Sequence, residues 1–254
     1  MKILIGGSGN IGKYLDRKFG LEKKIASDLI SIRTTQFDNF KEKFKQLNKE
    51  DVFIDSMDPN DVNDSFEISI YKKSVAFRNF ALQNSSNIHY IYFSTASIYK
   101  PSINMIDEDG ELNLNKSAYL MMKLCNENLI ENNSKGLFSI LRLVNIWDKG
   151  GDKSFFGDIL SAKKNGTFIK PRDNDEYVIT HANISDISSI IKFIIENRIC
   201  KIINVTTDNF NSRENIKALV NKNKITPITN NLGQRIISKI INWEEIIKER
   251  KELF

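Results

Sequence analysis

Short apolar stretches alternate with amphipathic stretches over the first 150 residues of the chain. The apolar stretches are rich in β-branched and aromatic residues and are bounded by turn residues, which is typical of buried strands. They predict strands at 2–6, 29–33, 52–57, 89–94 and within 138–147. The stretches between them predict helices at 11–19, 65–83 and 117–131. Because strands that alternate with helices are joined by crossovers, the pattern indicates a doubly wound α/β fold with a parallel sheet.

The pattern changes after residue 150, where the predicted elements become short. It predicts a helix at 154–164, a strand at 177–180, a helix at 185–196, a strand at 202–206 and a helix at 213–220. Ser185 or Asp186 is the expected N-cap of the helix at 185–196. We therefore expect a sheet domain at 1–150 and a small C-terminal lobe at 151–254, interleaved with the sheet domain and with parts that return to the sheet.

The composition of the 254-residue chain is that of an ordinary globular protein, with 41% hydrophobic and 27% charged residues. The net charge of +5 is spread along the chain without a dense basic block, so we expect no nucleic-acid surface. The apolar runs are too short to span a bilayer, and we expect no membrane association. The two cysteines, Cys125 and Cys200, lack metal-ligand spacing, so we expect no metal, no disulfide and a cytoplasmic location.

A glycine-rich segment follows the first predicted strand and precedes the first predicted helix. Gly7, Gly9 and Gly12 match G-x-G-x-x-G, whereas Gly6, Gly9 and Gly12 match G-x-x-G-x-x-G. Either spacing lets the backbone turn sharply, approach a pyrophosphate and pack a helix on a strand. Backbone amides and the positive end of the helix dipole then face the phosphates. The segment predicts dinucleotide binding.

The end of the second predicted strand bears on which dinucleotide is bound. NAD-binding chains usually carry an acidic residue there that hydrogen-bonds the ribose hydroxyl. This strand ends in Arg33, which could pair with a 2′-phosphate. NADP is therefore favoured, with NAD as the alternative, and Arg33 could also be an ordinary solvated residue.

Tyr119 and Lys123 are four residues apart in a predicted helix, one turn from each other on the same face. A nearby cation favours the phenolate form of a tyrosine, which prepares the hydroxyl for proton exchange. The effect is large only in a desolvated pocket. The pair is therefore a candidate catalytic group, although the same spacing also arises by chance in many helices.

Taken together, these segments resemble the extended short-chain dehydrogenase/reductase family, particularly its nucleotide-sugar reductases and epimerases. The resemblance extends over about residues 1–245, with the motifs in the same order. The matching segments are Gly6-x-x-Gly9-x-x-Gly12, Phe93-Ser94-Thr95-Ala96-Ser97-Ile98-Tyr99, Tyr119-x-x-x-Lys123, Leu141-Arg142-Leu143-Val144-Asn145-Ile146-Trp147, Ile184-Ser185-Asp186-Ile187-Ser188 and Ser238-Lys239-Ile240-Ile241-Asn242-Trp243.

The resemblance implies a Rossmann fold, a substrate-binding C-terminal lobe and a set of site residues. Thr95 would hydrogen-bond the substrate oxygen, Tyr119 would transfer the proton, and Lys123 would hold the phenolate and the nicotinamide ribose. The implied cofactor-binding residues are Gly6, Ser8, Gly9, Asn10, Ile11, Gly12, Arg33, Ser56, Tyr119 and Lys123. The implied substrate-binding residues are Thr95, Ser97, Asn145, Arg172 and Arg235.

Two departures from the family pattern narrow the expected reaction. Family dehydratases resemble Thr-Asp-Glu at the end of the fourth strand, whereas this chain has Thr95-Ala96-Ser97, which argues against dehydration. The usual diphosphate-binding arginine is missing from 179–183, and Arg172 or Arg235 would have to replace it. We expect an NADP-dependent reductase of a 4-keto nucleotide-sugar in deoxysugar and surface-polysaccharide biosynthesis. An NAD-dependent 4-epimerase and a non-catalytic dinucleotide-binding redox sensor are the alternatives.

Members of the family commonly dimerise through the helices that correspond to 65–83 and 117–131, so we expect a homodimer. Apolar residues in these helices permit such an interface, but they also permit ordinary packing on the sheet. They are Ile68, Phe77, Phe80, Leu120, Leu124 and Leu129.

Overall fold

The computed structural model describes residues 1–22, 25–59, 62, 64–114, 117–147, 178–207, 210–212 and 233–239. The predicted helices at 154–164 and 213–220, together with Arg172, lie outside these residues. The chain divides into two compact units. The first comprises Met1–Ile98, Leu114–Arg142 and Ile191–Ile203, and the second is drawn from Tyr99–Asn113, Leu143–Ile190 and Asn204–Phe254. The functional roles predicted for 1–150 and 151–254 stay predictions.

Described strands and helices alternate along residues 1–95. The strands are β1 (Lys2–Gly6), β2 (Ala26–Ile30), β3 (Val52–Asp55), β4 (His89–Thr95), β5 (Met105–Ile106), β6 (Leu137–Leu143), β7 (Asn145–Trp147), β8 (Val178–Asn183), β9 (Ile202–Val205), β10 (Phe210–Ser212) and β11 (Gly233–Ile236). The helices are α1 (Asn10–Gly20), α2 (Phe37–Lys45), α3 (Ser65–Gln83), α4 (Ala118–Asn133) and α5 (Ile184–Glu196).

A six-stranded sheet has the strand order β2-β1-β3-β4-β6-β9. Most of its residues belong to the first unit. β1 pairs in parallel with both β2 and β3, and β3 pairs in parallel with β4. All of β3 and all but the last residue of β4 are buried, as expected for central strands covered on both faces. The predicted doubly wound parallel sheet, the Rossmann fold, is confirmed.

Helix α2 was not predicted, although its sequence carries a helical signal. Phe37, Phe40 and Phe44 follow one another at spacings of three and four residues, which places them on one helix face. Phe40 stacks on Phe77 of α3 with ring centroids 4.4 Å apart, and Phe44 meets Phe53 of β3 edge to face at 5.2 Å. These rings form much of the hydrophobic core on this side of the sheet.

Several element boundaries differ from the predictions for local reasons. β2 ends at Ile30 rather than at residue 33, because the following residues form a turn in which Thr35 N–H donates to the Ser31 carbonyl oxygen. β3 ends at Asp55, whose carboxylate enters a buried ion-pair network. α5 begins one residue early and is capped by Asn183, whose side chain accepts a hydrogen bond from Ser185 N–H at 2.8 Å.

The described part of the second unit is a smaller sheet with the order β10-β8-β11-β5, and β7 also pairs with β8. β10 runs antiparallel to β8, whereas β11 is parallel to both β8 and β5. Glu108 links its segments, because its carboxylate accepts hydrogen bonds from Asn204 N–H at 3.0 Å and from the Ser238 hydroxyl at 2.6 Å.

Among the residues that the structure describes, none belongs to a helix that is both long and apolar enough to cross a membrane. On α3, Ile68 stays 40% exposed, whereas Phe77 is buried in the core of its own unit. Leu120 of α4 is buried as well. The packing role of Phe77 and Leu120 is therefore explained within one chain, and the homodimer stays a prediction.

A buried histidine couples the stability of this fold to pH. His89 of β4 is fully buried, with its Nε2 2.7 Å from the Ser139 hydroxyl oxygen. The Ser139 proton is donated to the Ile199 carbonyl oxygen, so Nε2 of His89 carries its own proton and donates. Nδ1 has no partner among the described residues. Burial first and the Arg198 charge second lower the pKa of His89 from 6.5 to about 4.

We expect acid to destabilise the protein through His89. Below pH 6.5 the unfolded chain binds a proton at this histidine that the folded protein does not bind until about pH 4. Stability is therefore lost as the pH falls through this window, by up to about 3 kcal/mol. Urea unfolding of the wild type and of His89→Gln between pH 7.5 and 4.5 measures the difference, and the variant should show the flatter pH dependence. Equal pH dependence in the two proteins would contradict the prediction.

Candidate active site

The glycine-rich turn joins β1 to α1. At two of its positions there is no space for a residue larger than glycine. Gly7 has a positive φ of 112°, and a Cβ there would lie 2.1 Å from the Ser56 carbonyl oxygen. At Gly12 a Cβ would lie 2.0 Å from the Gly7 carbonyl oxygen, so glycine lets α1 pack directly on the turn. Gly9 is different, because a Cβ there would meet no atom within 4 Å. The space beside Gly9 is open to a ligand.

The start of α1 suits an anion. Gly9 is the N-cap residue and supplies no side-chain cap, and the first turn of α1 carries no acidic residue. The first backbone amides of the helix therefore lack a competing carboxylate, as phosphate binding at a helix N-terminus requires. Asn10 is exposed and Ile11 is half-buried at this end of the helix. These residues fit the pyrophosphate of a dinucleotide.

Hydrogen bonds of the serine side chains Ser8 and Ser56 tie the turn to neighbouring segments. The Ser8 hydroxyl donates to the Ser31 hydroxyl oxygen at 3.0 Å, which ties the turn to the residue after β2. The Ser56 hydroxyl and its backbone N–H both donate to the Gly6 carbonyl oxygen, at 2.9 and 2.8 Å. Ser56 thus holds the end of β1 in place from the loop after β3.

Arg33, the predicted partner of a 2′-phosphate, lies in the turn after β2 with its side chain 51% exposed. Its guanidinium donates to Glu67 Oε1 of α3 at 2.8 Å and lies 5.1 Å from the ring centroid of Phe66. The pair is only partly exposed, because the Glu67 side chain is 17% exposed, and a phosphate could reach Arg33 from the solvent. The geometry is compatible with the predicted role of Arg33.

Thr95 is the last residue of β4, at the carboxyl end of a central parallel strand. Its hydroxyl oxygen accepts a hydrogen bond from Ser97 N–H at 3.2 Å, which begins the 3-10 turn Ala96–Ile98. Within the described part of the chain, no acceptor takes the Thr95 hydroxyl proton. The hydroxyl can therefore still donate to a substrate oxygen. Ala96, where the family dehydratases have an acid, is buried.

Tyr119 and Lys123 lie in the first turns of α4. Tyr119 is half-buried, whereas Lys123 is 6% exposed. Lys123 Nζ lies 5.6 Å from the ring centroid of Tyr119, so the two side chains are neighbours as the spacing predicts. Thr95, Tyr119, Lys123 and the glycine-rich turn all belong to the first unit.

A buried ion-pair network that no motif or spacing indicated includes the Lys123 ammonium. Lys123 Nζ donates to Asp58 Oδ2 at 2.9 Å and to the Phe93 carbonyl oxygen at 2.8 Å. Asp58 also accepts from Arg78 at 2.8 Å, and Arg78 donates to Asp55 Oδ2 at 2.7 Å. In the sequence, Asp58 precedes a proline, which by itself indicates only a turn.

Burial and neighbouring charges act in opposite directions on this network. Burial alone raises the pKa of Asp58, but the Arg78 and Lys123 cations outweigh it and hold the pKa of that carboxyl well below its usual range. Burial alone lowers the pKa of Lys123, but the Asp58 carboxylate and Tyr119 together outweigh burial and raise the pKa of Lys123 above 10.5. Both groups are therefore charged at neutral pH.

The remaining predicted substrate residues lie elsewhere. Ser97 is half-buried in the 3-10 turn after Thr95. Asn145 begins β7 in the second unit, where its side-chain amide donates to the Thr180 carbonyl oxygen at 3.2 Å. Arg235 is in β11, paired with Met105 of β5. Substrate binding by these residues, and by Arg172 outside the described residues, stays a prediction.

Comparison with protein-family models gave no match, and comparison with curated protein sequences gave none either. Solved structures do match over nearly the whole chain. A dTDP-4-dehydrorhamnose reductase from Clostridium acetobutylicum is 17% identical, with a TM-score of 0.75 and coverage of 100% of this chain and 99% of that one. The UDP-glucose 4-epimerase of Thermus thermophilus, in complex with NAD, is 12% identical, with a TM-score of 0.74 and coverage of 98% and 93%.

A dTDP-4-dehydrorhamnose reductase from Bacillus anthracis, in complex with NADP, is 14% identical, with a TM-score of 0.71 and coverage of 100% of this chain and 98% of that one. The chain therefore has the fold of the extended short-chain dehydrogenases/reductases. The two dTDP-4-dehydrorhamnose reductases and the UDP-glucose 4-epimerase share this fold, which confirms the fold that the motifs imply.

Proposed function

We propose that the protein is an NADP-dependent reductase that acts on the 4-keto group of a nucleotide-sugar. One observation carries the proposal: Thr95 at the end of β4 and the Tyr119/Lys123 pair of α4 occur in the same compact unit as a glycine-rich turn that fits a dinucleotide. The buried residue Ala96 stands where dehydration would require an acid, which supports simple carbonyl reduction.

The proposed mechanism assigns one task to each side chain. When bound, the nicotinamide cofactor supplies the hydride. Thr95 donates a hydrogen bond to the substrate carbonyl oxygen, and Tyr119 transfers its phenolic proton to that oxygen as the alcohol forms. Lys123 retains one N–H beyond those given to Asp58 and Phe93 and donates it to the nicotinamide ribose, while its positive charge favours the phenolate form of Tyr119.

The substrate class and the cofactor are argued from the comparisons and from Arg33. The two similar reductases act on dTDP-4-dehydrorhamnose, and one of them is bound to NADP. Arg33 lies in the turn after β2, close to where NAD-binding chains carry an acid, and supports NADP. We assign Arg172 or Arg235 to the substrate diphosphate and Asn145 to the same ligand. The product would be a deoxysugar nucleotide used for surface polysaccharide, made in the cytoplasm.

A nucleotide-sugar 4-epimerase is the second candidate. The similarity to the NAD-bound UDP-glucose 4-epimerase favours it, and the three proposed catalytic residues would serve it equally well. An epimerase must take up and return the same hydride, so it keeps its NAD bound between turnovers. A non-catalytic redox sensor is less well supported, because such a protein has no need of both Tyr119 and Lys123.

We expect the purified protein to oxidise NADPH when it is given a 4-keto-6-deoxy nucleotide-sugar, and to carry no tightly bound NAD. Acid release of any copurified dinucleotide, followed by chromatography, measures the second property. If the protein carries stoichiometric NAD and causes no net NADPH oxidation, the reductase proposal is wrong and the epimerase is the better assignment. If the protein binds a dinucleotide but transfers hydride to no carbonyl substrate, the non-catalytic redox sensor is the remaining candidate function.

A further inference from the structure

We propose that Asp58 is a positioning residue of this site: its carboxylate holds the Lys123 ammonium against the end of β4, with one N–H left for the cofactor. The inference rests on the proposed function, because it takes Lys123 to be a cofactor-binding and catalytic group. Neither the motifs nor the resemblance points to Asp58, and nothing in the spacing of the glycine-rich turn or of Tyr119 and Lys123 requires an acid at this position.

The Lys123 ammonium is held from two directions. Asp58 Oδ2 and the Phe93 carbonyl oxygen accept two of its three N–H groups, at 2.9 and 2.8 Å. Its Nζ also lies 5.1 Å from the ring centroid of Tyr92 and 5.6 Å from that of Tyr119. A buried lysine chain with two fixed acceptors has little rotational freedom, so the third N–H has a defined direction.

Asp58 is itself fixed by donors from three other segments. Its Oδ1 accepts from Arg78 of α3 at 2.8 Å and from Asn126 of α4 at 3.1 Å, and its Oδ2 accepts from the Tyr92 hydroxyl of β4 at 2.6 Å. The side chain is 2% exposed. The following residue is Pro59, which restricts the backbone of Asp58 to extended conformations. The carboxylate is therefore pre-organised before any ligand binds.

The charges of the network balance only if Asp58 is ionised. Asp55 and Asp58 face Arg78 and Lys123, and none of the four side chains is more than 8% exposed. Without the Asp58 charge, Lys123 would keep the repulsion of Arg78 and the desolvation, both of which favour the neutral amine. A neutral amine would lose its attraction for a phenolate and donate more weakly to a ribose hydroxyl.

Other titratable groups near this network bind other partners and do not take over the role of Asp58 toward Lys123. Tyr90 donates its proton to Asp55 at 2.5 Å, and Tyr71 donates to Asn126 at 3.4 Å. One turn further along α4, Glu127 is already paired with Arg142 of β6 at 2.7 Å. The titratable groups that act on Lys123 are Asp58 from the loop after β3, Arg78 from α3, Tyr92 from β4 and Tyr119 from α4.

The first test measures the ionisation of Lys123 without cofactor or substrate. Lysine side-chain NMR signals are followed from pH 6 to 11 in the wild type and in Asp58→Asn, and Lys123→Met assigns the signal. We expect Lys123 to titrate roughly two pH units lower in Asp58→Asn than in the wild type. Asp38→Asn, which removes the carboxylate of an exposed pair with Lys41, is the matched control and should change nothing at Lys123.

The second test measures NADPH affinity by fluorescence at pH 7 and pH 9.5. We expect the NADPH dissociation constant of Asp58→Asn to rise about tenfold between pH 7 and pH 9.5, because Lys123 loses its proton in this interval. The dissociation constants of the wild type and of the Asp38→Asn control should change by the same smaller factor. Asp58→Glu keeps the charge but moves the carboxylate, so it should bind NADPH about tenfold more weakly at both pH values.

The inference is overturned if folded Asp58→Asn shows the wild-type titration of Lys123. Should Asp58→Asn fail to fold, wild-type NADPH affinity in Asp58→Glu overturns it instead. The two proposals fail separately, because the NMR titration needs no ligand. A wild type that binds NADPH but reduces no carbonyl refutes the reductase and leaves the role of Asp58 to be decided by the titration.

Discussion

Tyr119→Phe should lower kcat for carbonyl reduction about a thousandfold while the affinity for NADPH changes less than threefold. The hydroxyl is the proposed proton donor, and a positioned acid or base contributes about 10²–10⁴-fold. The phenyl ring keeps the surface that faces Lys123 Nζ 5.6 Å away, so cofactor binding should be spared. Stopped-flow NADPH oxidation with a 4-keto-6-deoxy nucleotide-sugar measures kcat, and fluorescence titration measures binding.

Tyr14→Phe on α1 is the matched control, since it removes a phenolic hydroxyl from the helix that follows the glycine-rich turn. Its turnover should equal that of the wild type. Undiminished turnover by Tyr119→Phe would refute the proposed mechanism. Equal loss of NADPH binding and turnover would show that the hydroxyl serves the cofactor rather than the proton transfer.

Arg78→Met should lower the free energy of unfolding by about 3–5 kcal/mol, because it leaves a buried charge uncompensated. Arg78 is fully buried between Asp55 and Asp58, and only Lys123 would remain to neutralise two carboxylates. Methionine fills much of the same volume, so the loss would report the charge rather than a cavity. Urea unfolding at pH 7 measures the change, with constant denaturant dependence as the check that both proteins unfold in the same manner.

Arg33→Met is the control for this stability measurement. It breaks, by the same substitution, a pair in which the arginine is 51% and the glutamate 17% exposed, and it should cost clearly less than Arg78→Met. Adding Asp55→Asn to Arg78→Met removes one of the two carboxylates and should restore part of the loss, as coupled neighbours do. A loss in Arg78→Met no larger than that in Arg33→Met would contradict a buried, charge-balanced network.

Local patterns predicted the fold because each strand and helix carries its own signal. The buried runs of β1, β3 and β4 are continuous, and the glycine-rich turn can be recognised between β1 and α1. The exact ends of elements and the short helix α2 were predicted less reliably. β2 ends before Arg33 because a turn begins at Ser31, and α2 was overlooked although Phe37, Phe40 and Phe44 have helical spacing.

In the candidate site, too, the sequence predicts contacts between near neighbours in the chain but not contacts between distant residues. Tyr119 and Lys123 could be paired from the sequence because four residues make about one helical turn, so their proximity is a local property. Asp58 could not be assigned to Lys123, from which it is 65 residues distant, nor to Arg78, 20 residues away. Acidic residues near a proline usually indicate a turn, and no spacing rule distinguishes a solvated aspartate from a buried one.

The sequence by itself determined the α/β alternation, the glycine-rich turn and the Tyr119/Lys123 spacing, because hydrophobic periodicity and backbone geometry act over a few residues. Tertiary structure alone decided that Asp58 pairs with Lys123 and that Arg78 pairs with Asp58 and Asp55 in the interior. Parallel strands bring the loops at their carboxyl ends together at one edge of the sheet, wherever those loops lie in the chain. In that desolvated place an unpaired charge is costly, so partners that are distant in sequence must meet.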